Sequence, residues 1–289
     1  KGIKPEIRDD GYIYSDGTTI LGADDKAGMA ALFEMARRLK EQNITHGTIQ
    51  FIITAGEESG LVGAKELDPS MIIAKYGFAV DSNGKVGDIV VAAPYQARIE
   101  AKIIGKTAHA GVEPEKGISA ITLAAKSIAK MKLGRLDEET TANIGRFEGG
   151  KATNIVCDEV YILAEARSID EAKLNVQTAH MKETFETVSA ALGGRAEIDV
   201  QIMYPGFRAT EADKVVQVAM EAARAVNREP KLCISGGGSD ANIIAGFGIP
   251  TVNLAVGYEE IHTTNERMPI EELEKLADYL VAIVKSAAK

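Results

Sequence analysis

Apolar and polar positions in the first third of the chain alternate between two periods. Met29, Leu32, Phe33, Ala36 and Leu39 recur at helical spacing between Asp25 and Glu41, which predicts an amphipathic helix. The apolar run TIQFIIT, Thr48 to Thr54, predicts a buried strand, and Gly77 to Val80 and Thr18 to Leu21 read as shorter ones. Glu6 to Leu21 reads as a strand pair turning at Tyr14-Ser15-Asp16-Gly17, and Ser59 to Leu67 as a short helix. This βαβαβ order predicts a mainly parallel sheet covered by helices.

From Tyr95 the pattern becomes strand (QARIEAKIIG), helix (Gly117 to Met131), strand (TANIGRF), strand (EVYILAEAR), helix (Glu171 to Leu192) and strand (AEIDVQIMY). The order βαββαβ is the ferredoxin-like signature, and such a unit is self-contained. Residues 94–204 are therefore read as a domain inserted into an α/β domain formed by 1–93 and 205–289. After Pro205-Gly206 the alternation resumes with a helix near 211–226, a strand at Lys231 to Ile234 and a glycine-rich turn into a short helix. A strand at Thr251 to Leu254 and a helix from Ile270 to Val284 complete the pattern.

Composition narrows the picture. The 289 residues are 45% apolar and 26% charged, with no Trp and 5% aromatics, so the core is built mainly from aliphatic side chains and Ala. A net charge of −9 repels phosphate backbones and anionic lipid, which argues against nucleic-acid and membrane-surface partners. Cys157 and Cys233 are far apart and form no C-x-x-C pair, which suits a reducing compartment. The most apolar stretch, Ile243 to Val256, is interrupted by Gly246, Gly248 and Pro250, and no signal-peptide pattern opens the chain, so a cytoplasmic location is expected. The sequence begins at Lys1 without Met and already inside a strand pattern, so a further upstream segment is expected.

Ligands of an open α/β sheet bind outside the carboxyl ends of its strands. Asp24 and Asp25, Glu57 and Glu58, Asp81, and His262 each follow a predicted strand or its short loop. Singly, Asp24 reads as a helix N-cap, the two glutamates as first-turn residues, Asp81-Ser82-Asn83-Gly84 as a turn, and His262 as a solvated loop residue. Together they place several carboxylates and one imidazole in one crevice, the donor set of a divalent cation such as zinc, with manganese or cobalt as alternatives.

The motifs GADDKAGMAAL, TAGEESGLVGA, FAVDSNG, KTAHAGVEPEKG, ATNIVCDEV, AEARS, SGGGSDANI and HTTNE follow one another along the chain. In that order they resemble the co-catalytic dizinc metallopeptidases that include peptidase T, aminoacylase and glutamate carboxypeptidases, and most closely the peptidase T-like branch. The resemblance spans essentially the whole chain. It implies that Asp24 bridges two metals, Glu58 and His262 hold one of them and Asp81 the other, while Glu57 is the general base and Asp25 a supporting residue. Two such metals, about 3.5 to 4 Å apart, share a water and lower its pKa toward about 7. On the same resemblance, Asp at position 81, where carboxypeptidase relatives tend to have Glu, implies a lean toward aminopeptidase specificity.

The same resemblance implies that His109 stabilises the oxyanion of the tetrahedral intermediate, often across a dimer interface, and that Asn154 and Arg167 bind polar groups of the substrate. Without it, His109 reads as a buried loop histidine, and Asn154 and Arg167 as residues of a surface strand pair. Gly236, Gly237 and Gly238 would line the substrate pocket, with Gly237 as a substrate-binding residue. They lack the G-x-G-x-x-G pattern of a dinucleotide site, and Ser239 misses the G-x-S-x-G elbow of serine hydrolases. His180 lies off the apolar face of its helix and is assigned to solvent. The family carries a further His-x-Asp motif upstream of the bridging Asp. No His precedes His46 here, so the second metal's shell is expected to be completed from upstream of Lys1.

The function expected is a metal-dependent exopeptidase of short peptides, a tripeptide aminopeptidase acting as a homodimer through the inserted domain. Its enzymatic rivals are a carboxypeptidase and an N-acyl amino acid deacylase or amidase on the same scaffold. From a different class, the rival is a metal-poor, non-catalytic binding or dimerisation module.

Overall fold

The computed structural model describes residues 2–289 and begins with a hairpin of β1 (Glu6–Ile7) against β2 (Tyr12–Tyr14). Its turn is Arg8 to Gly11, closed by Gly11 N–H donating to the Arg8 carbonyl at 3.0 Å, and not the expected Tyr14 to Gly17. Thr18 to Leu21 forms no strand. Ser15 Oγ donates to the Thr19 carbonyl at 2.7 Å and Asp16 accepts from Thr18 N–H at 3.0 Å, and these local bonds hold the backbone in turns.

Helix α1 (Ala23–Glu41) follows. Its buried stripe is Ala27, Gly28, Ala31, Met35 and Leu39, whereas Met29 and Phe33 of the expected apolar face are exposed. Gly28 explains the close approach on the buried side, because a Cβ there would lie 2.5 Å from the Val80 carbonyl oxygen. The expected strand TIQFIIT is absent: Thr48 to Thr54 pairs with no strand among the described residues, and Phe51, Ile52 and Ile53 are exposed. Its β-branched composition is right for a strand, but a strand exists only with a ladder partner. Beyond it come the single turn α2 (Val62–Lys65), β3 (Gly77–Ser82) and β4 (Asp88–Ala93). The strand β4, DIVVAA, was not anticipated from the sequence.

Two compact units share the chain, one of which ends its first part at Ala93 and resumes over Phe207–Lys289; the other is Pro94–Gly206. The second contains β5 (Tyr95–Ile104), α3 (Ala120–Lys130), β6 (Gly134–Arg135), β7 (Thr140–Gly149), β8 (Glu159–Ser168), α4 (Glu171–Ala191) and β9 (Arg195–Tyr204). Its antiparallel sheet has the order β6-β7-β8-β5-β9. Alternate residues of β5 and β8, such as Ile99, Ile103 and Ile162, are fully buried against Leu123 of α3 and Met181 and Phe185 of α4. Period-2 alternation thus gives the sheet one face covered by both helices.

The first unit resumes with β10 (Phe207–Arg208), α5 (Lys214–Ala225), β11 (Lys231–Ile234), α6 (Asp240–Gly246), β12 (Thr251–Ala255), β13 (Arg267–Pro269) and α7 (Ile270–Ala287). Its main sheet runs β10-β4-β12-β3, with β11 also on β4. The sheet is mixed rather than mainly parallel: β12 is parallel to β3 and β11 to β4, but β12 and β10 are antiparallel to β4. Only residues 83–87 join β3 to β4, too few for a parallel crossover, so β4 must run back against the direction shared by β3 and β12. Helices α1, α5 and α7 bury their apolar residues in one core with β3, β4 and β12. No helix of the described residues is long and apolar enough to cross a membrane.

Candidate active site

Asp24 stands where α1 begins, but its own backbone is extended (φ −80°, ψ 106°), and the Asp24–Asp25 peptide is cis. The cap of the regular helix is Asp25, whose Oδ1 accepts the Gly28 N–H at 3.0 Å. With that bond made by its neighbour, the Asp24 carboxylate faces the end of the sheet. There, the imidazole Nε2 of His262 lies 3.0 Å from Asp24 Oδ2 and 2.9 Å from Glu58 Oε1.

Glu57 and Glu58 are carried by the turn after the unpaired stretch. The Glu57 carbonyl accepts the N–H groups of Gly60 and Leu61, and Gly63 packs so tightly beneath that a Cβ would lie 2.5 Å from the Ala55 carbonyl oxygen. Asp81 ends β3. Asn253 of β12 holds its backbone from both sides, accepting the Asp81 N–H and donating to the Asp81 carbonyl, each at 2.9 Å, while Tyr258 donates its hydroxyl to Asp81 Oδ1 at 3.2 Å. Because β3 and β12 are parallel, Asp81 and the loop carrying His262 emerge at the same edge. The rule that ligands gather at strand ends therefore holds for these two, whereas Asp24 and Glu57–Glu58 reach the site from stretches that are not strands.

These residues border one open cleft of about 380 Å³, lined also by the glycine-rich turn with Gly237. That volume suits a small ligand. Burial and mutual repulsion push the carboxyl of Asp81 up to about 9, where Asp25, Asp24 and Glu57 are its charged neighbours. Burial likewise raises Asp25 to about 8, and burial with repulsion from Glu58, Asp240 and Asp24 raises Glu57 to about 7. His262 is shifted upward by its bond to Glu58. A crowd of carboxylates that resists ionisation is relieved by a cation, and the donors fit one: Asp24, Glu58 and His262 each offer an atom within 4.8 Å of the others'. Carboxylate oxygens with one imidazole are the ligand chemistry of zinc, manganese or cobalt.

The hydroxyl of Ser239 is committed elsewhere. It accepts the Ala241 N–H at 3.3 Å as the N-cap of α6 and the Asn253 amide at 3.1 Å, which leaves it in a structural network. Sequence reasoning missed Asn253 and Tyr258. The signal for Asn253 was a lone amide inside the apolar run TVNLA; Tyr258 gave none, being one aromatic in a loop.

In the second unit, His109 is exposed and bridges Ile155, and Ala110 N–H donates to the Asn154 carbonyl at 2.9 Å, so the His109 and Asn154 loops run side by side. Both loops lie beyond the end of the sheet where Ile104 pairs with Glu159. Arg167 lies at the other end of β8, paired with Gln96 and bonded to Glu165 at 2.9 Å. Eight residues of strand, about 26 Å, separate those ends. His180, assigned to solvent, is half-buried and accepts the Lys132 N–H at 3.3 Å. Both cysteines are free thiols.

Known proteins share this architecture. A crystal structure of aminopeptidase PepT from Bacillus cereus ATCC 10987 is 67% identical, with a TM-score of 0.96, and the match covers 100% of this chain and 77% of that one. A tripeptidase from Staphylococcus aureus subsp. aureus Mu50 is 57% identical with a TM-score of 0.97, covering 99% of this chain and 76% of its own. Peptidase T of Shigella boydii serotype 18 is 30% identical over 283 residues, 96% of this chain and 68% of that protein. The model of Peptidase family M20/M25/M40 matches residues 3–286, a span that takes in the cleft and the second unit alike, and the chain belongs to that family.

Proposed function

We propose that this peptidase is a metal-dependent aminopeptidase that removes the N-terminal residue of short peptides, tripeptides above all. The observation that carries the reading is the convergence of Asp24, Glu58 and His262 beside a carboxylate, Glu57, that lines the same cleft but is not one of the three gathered donors. Asp24, Glu58 and His262 would hold zinc, or manganese or cobalt in its place, and Asp81, beside Asp24, would serve a second ion together with it. A divalent ion there supplies Lewis acidity for water and for the scissile carbonyl.

Glu57 then does the proton work. Its carboxyl, raised to about 7, is poised near neutral pH, where a general base takes the proton of the attacking water and returns it to the leaving amine. Two adjacent glutamates divide the tasks because a carboxylate spent on a metal is a poor base. Asp25 caps α1, and Gly237 in the cleft wall leaves room for substrate.

His109 as oxyanion stabiliser and Asn154 and Arg167 as substrate contacts complete the reading. His109 and Asn154 lie at the opposite end of their sheet from Arg167, so a homodimer, in which two copies contribute, suits the three better than one copy. A reducing cytoplasm suits two free thiols. The named relatives, an aminopeptidase and a tripeptidase, favour this reading over a carboxypeptidase or deacylase.

The test is Glu57→Gln. Turnover should fall by about 10²- to 10⁴-fold while bound metal, measured by mass spectrometry of the elements, stays at the wild-type level. Full activity in that variant contradicts the base assignment; loss of metal reassigns Glu57 as a ligand.

A further inference from the structure

We infer that Glu266 is the positioning residue that sets the separation of Asp24 and His262, by clamping the loop that carries His262 onto the backbone of Asp24. The inference rests on the metal-centre reading above and adds a residue to it.

Glu266 is 1% exposed and, with Glu272, is one of two buried carboxylates among the described residues. Both its oxygens are used. Oε2 accepts the Gly22 N–H at 2.5 Å and Oε1 the Asp24 N–H at 2.9 Å, across more than 240 positions of sequence. The Gly22 carbonyl is in turn held by the Lys26 ammonium at 3.0 Å, so the peptides on both sides of Ala23 are fixed. Burying a carboxylate costs free energy unless it is hydrogen-bonded, and two backbone donors at the head of α1 meet that requirement. They are the donors that decide where Asp24 stands.

The other end of the clamp is the His262 loop. Glu259 and Arg267 close it with reciprocal backbone bonds of 2.9 and 3.0 Å and with an ion pair at 2.6 Å. Inside it, Thr263 Oγ1 donates to the Glu260 carbonyl at 2.7 Å and accepts the Asn265 N–H at 3.1 Å, and Glu266 N–H donates to the Thr263 carbonyl at 3.2 Å. The loop is thus stiff from Glu259 to Arg267, and Glu266 is its tie to α1. His262 needs that tie, because its side chain is 59% exposed and burial does not hold it. Outer contacts of this kind orient metal ligands, and their loss typically weakens metal affinity by about 10- to 100-fold.

A carboxylate that merely caps α1 would alter stability and nothing else. Glu272 provides the comparison: it is also buried, accepts the Val86 N–H at 2.7 Å and pairs with Arg228 at 2.5 Å, and lies on α7 outside the cleft lining. Zinc affinity of the whole chain is measured by competition with a chromophoric chelator, and metal-free thermal unfolding in parallel, for wild type, Glu266→Gln, Glu266→Asp and Glu272→Gln. Glu266→Gln should bind zinc about 10- to 100-fold more weakly, with Glu266→Asp between it and wild type. Glu272→Gln should unfold at lower temperature yet bind zinc as wild type does. Wild-type zinc affinity in Glu266→Gln overturns the inference, as do affinity losses in the Glu266 and Glu272 variants that simply follow their losses of stability. Should Glu266→Gln not fold, Glu266→Asp decides: weakened zinc binding in a folded chain supports the clamp, and unchanged binding overturns it. A wild-type chain that takes up no zinc fails the centre itself, and the clamp with it.

Discussion

Asp24 and Asp25 are adjacent carboxylates with different work, and the backbone decides which does what. Asp25 bonds the Gly28 N–H and lies half-buried under the start of α1, while Asp24, extended, meets His262 and Asp81. From the sequence alone Asp24 reads as the cap; the structure gives that bond to Asp25, and the torsions at Asp24 and Asp25 separate the two. Gly28 is the point on which this geometry turns. A Cβ at that position would meet Asp25 Oδ1 at 2.4 Å as well as the Val80 carbonyl. Gly28→Ala should therefore destabilise the fold by about 1–3 kcal/mol, read from urea unfolding, since one of the clashing atoms is backbone that cannot rotate away. The same displacement should weaken metal binding, because Asp25 and Asp24 move together.

At the scale of elements, β3 and β12 are locked by side-chain bonds as well as by their ladder. Asn253→Ala removes both amide contacts to Asp81 and the one to Ser239, which leaves buried polar groups unmatched. A loss of about 1–3 kcal/mol is expected from the unpaired groups, with weaker metal binding as the sign that Asp81 has shifted. The stretch 48–54 gives the opposite case. Its composition spelled a buried strand, but pairing is a property of two segments, and no described segment forms a ladder with it. Its amides should exchange with deuterium far faster than those of Val252 to Leu254, measured by mass spectrometry; equal protection would show that the stretch is paired. Helices and the strands of the second unit were legible because their apolar periods are long and regular. The strand β4 and the mixed direction of the main sheet were not, since direction follows from the short link 83–87 and from which strands become neighbours.

For the whole molecule, the ordered motifs point to a metallopeptidase, and membership of Peptidase family M20/M25/M40 over residues 3–286 agrees. Motifs carry chemistry because the residue types are indispensable; supporting residues such as Tyr258 and Asn253 leave weaker marks, since other residues meet the same need elsewhere. Under the proposed function, the crowded carboxylates of the cleft serve a divalent cation and the cation serves peptide hydrolysis from the N-terminus. The most direct measurement is product identification by mass spectrometry after the zinc-, manganese- or cobalt-loaded chain meets a tripeptide, with and without a chelator. The expected products are a free N-terminal amino acid and a dipeptide, both abolished by the chelator and restored by added metal. Release of the C-terminal residue instead, or hydrolysis that the chelator leaves untouched, would contradict the proposed function.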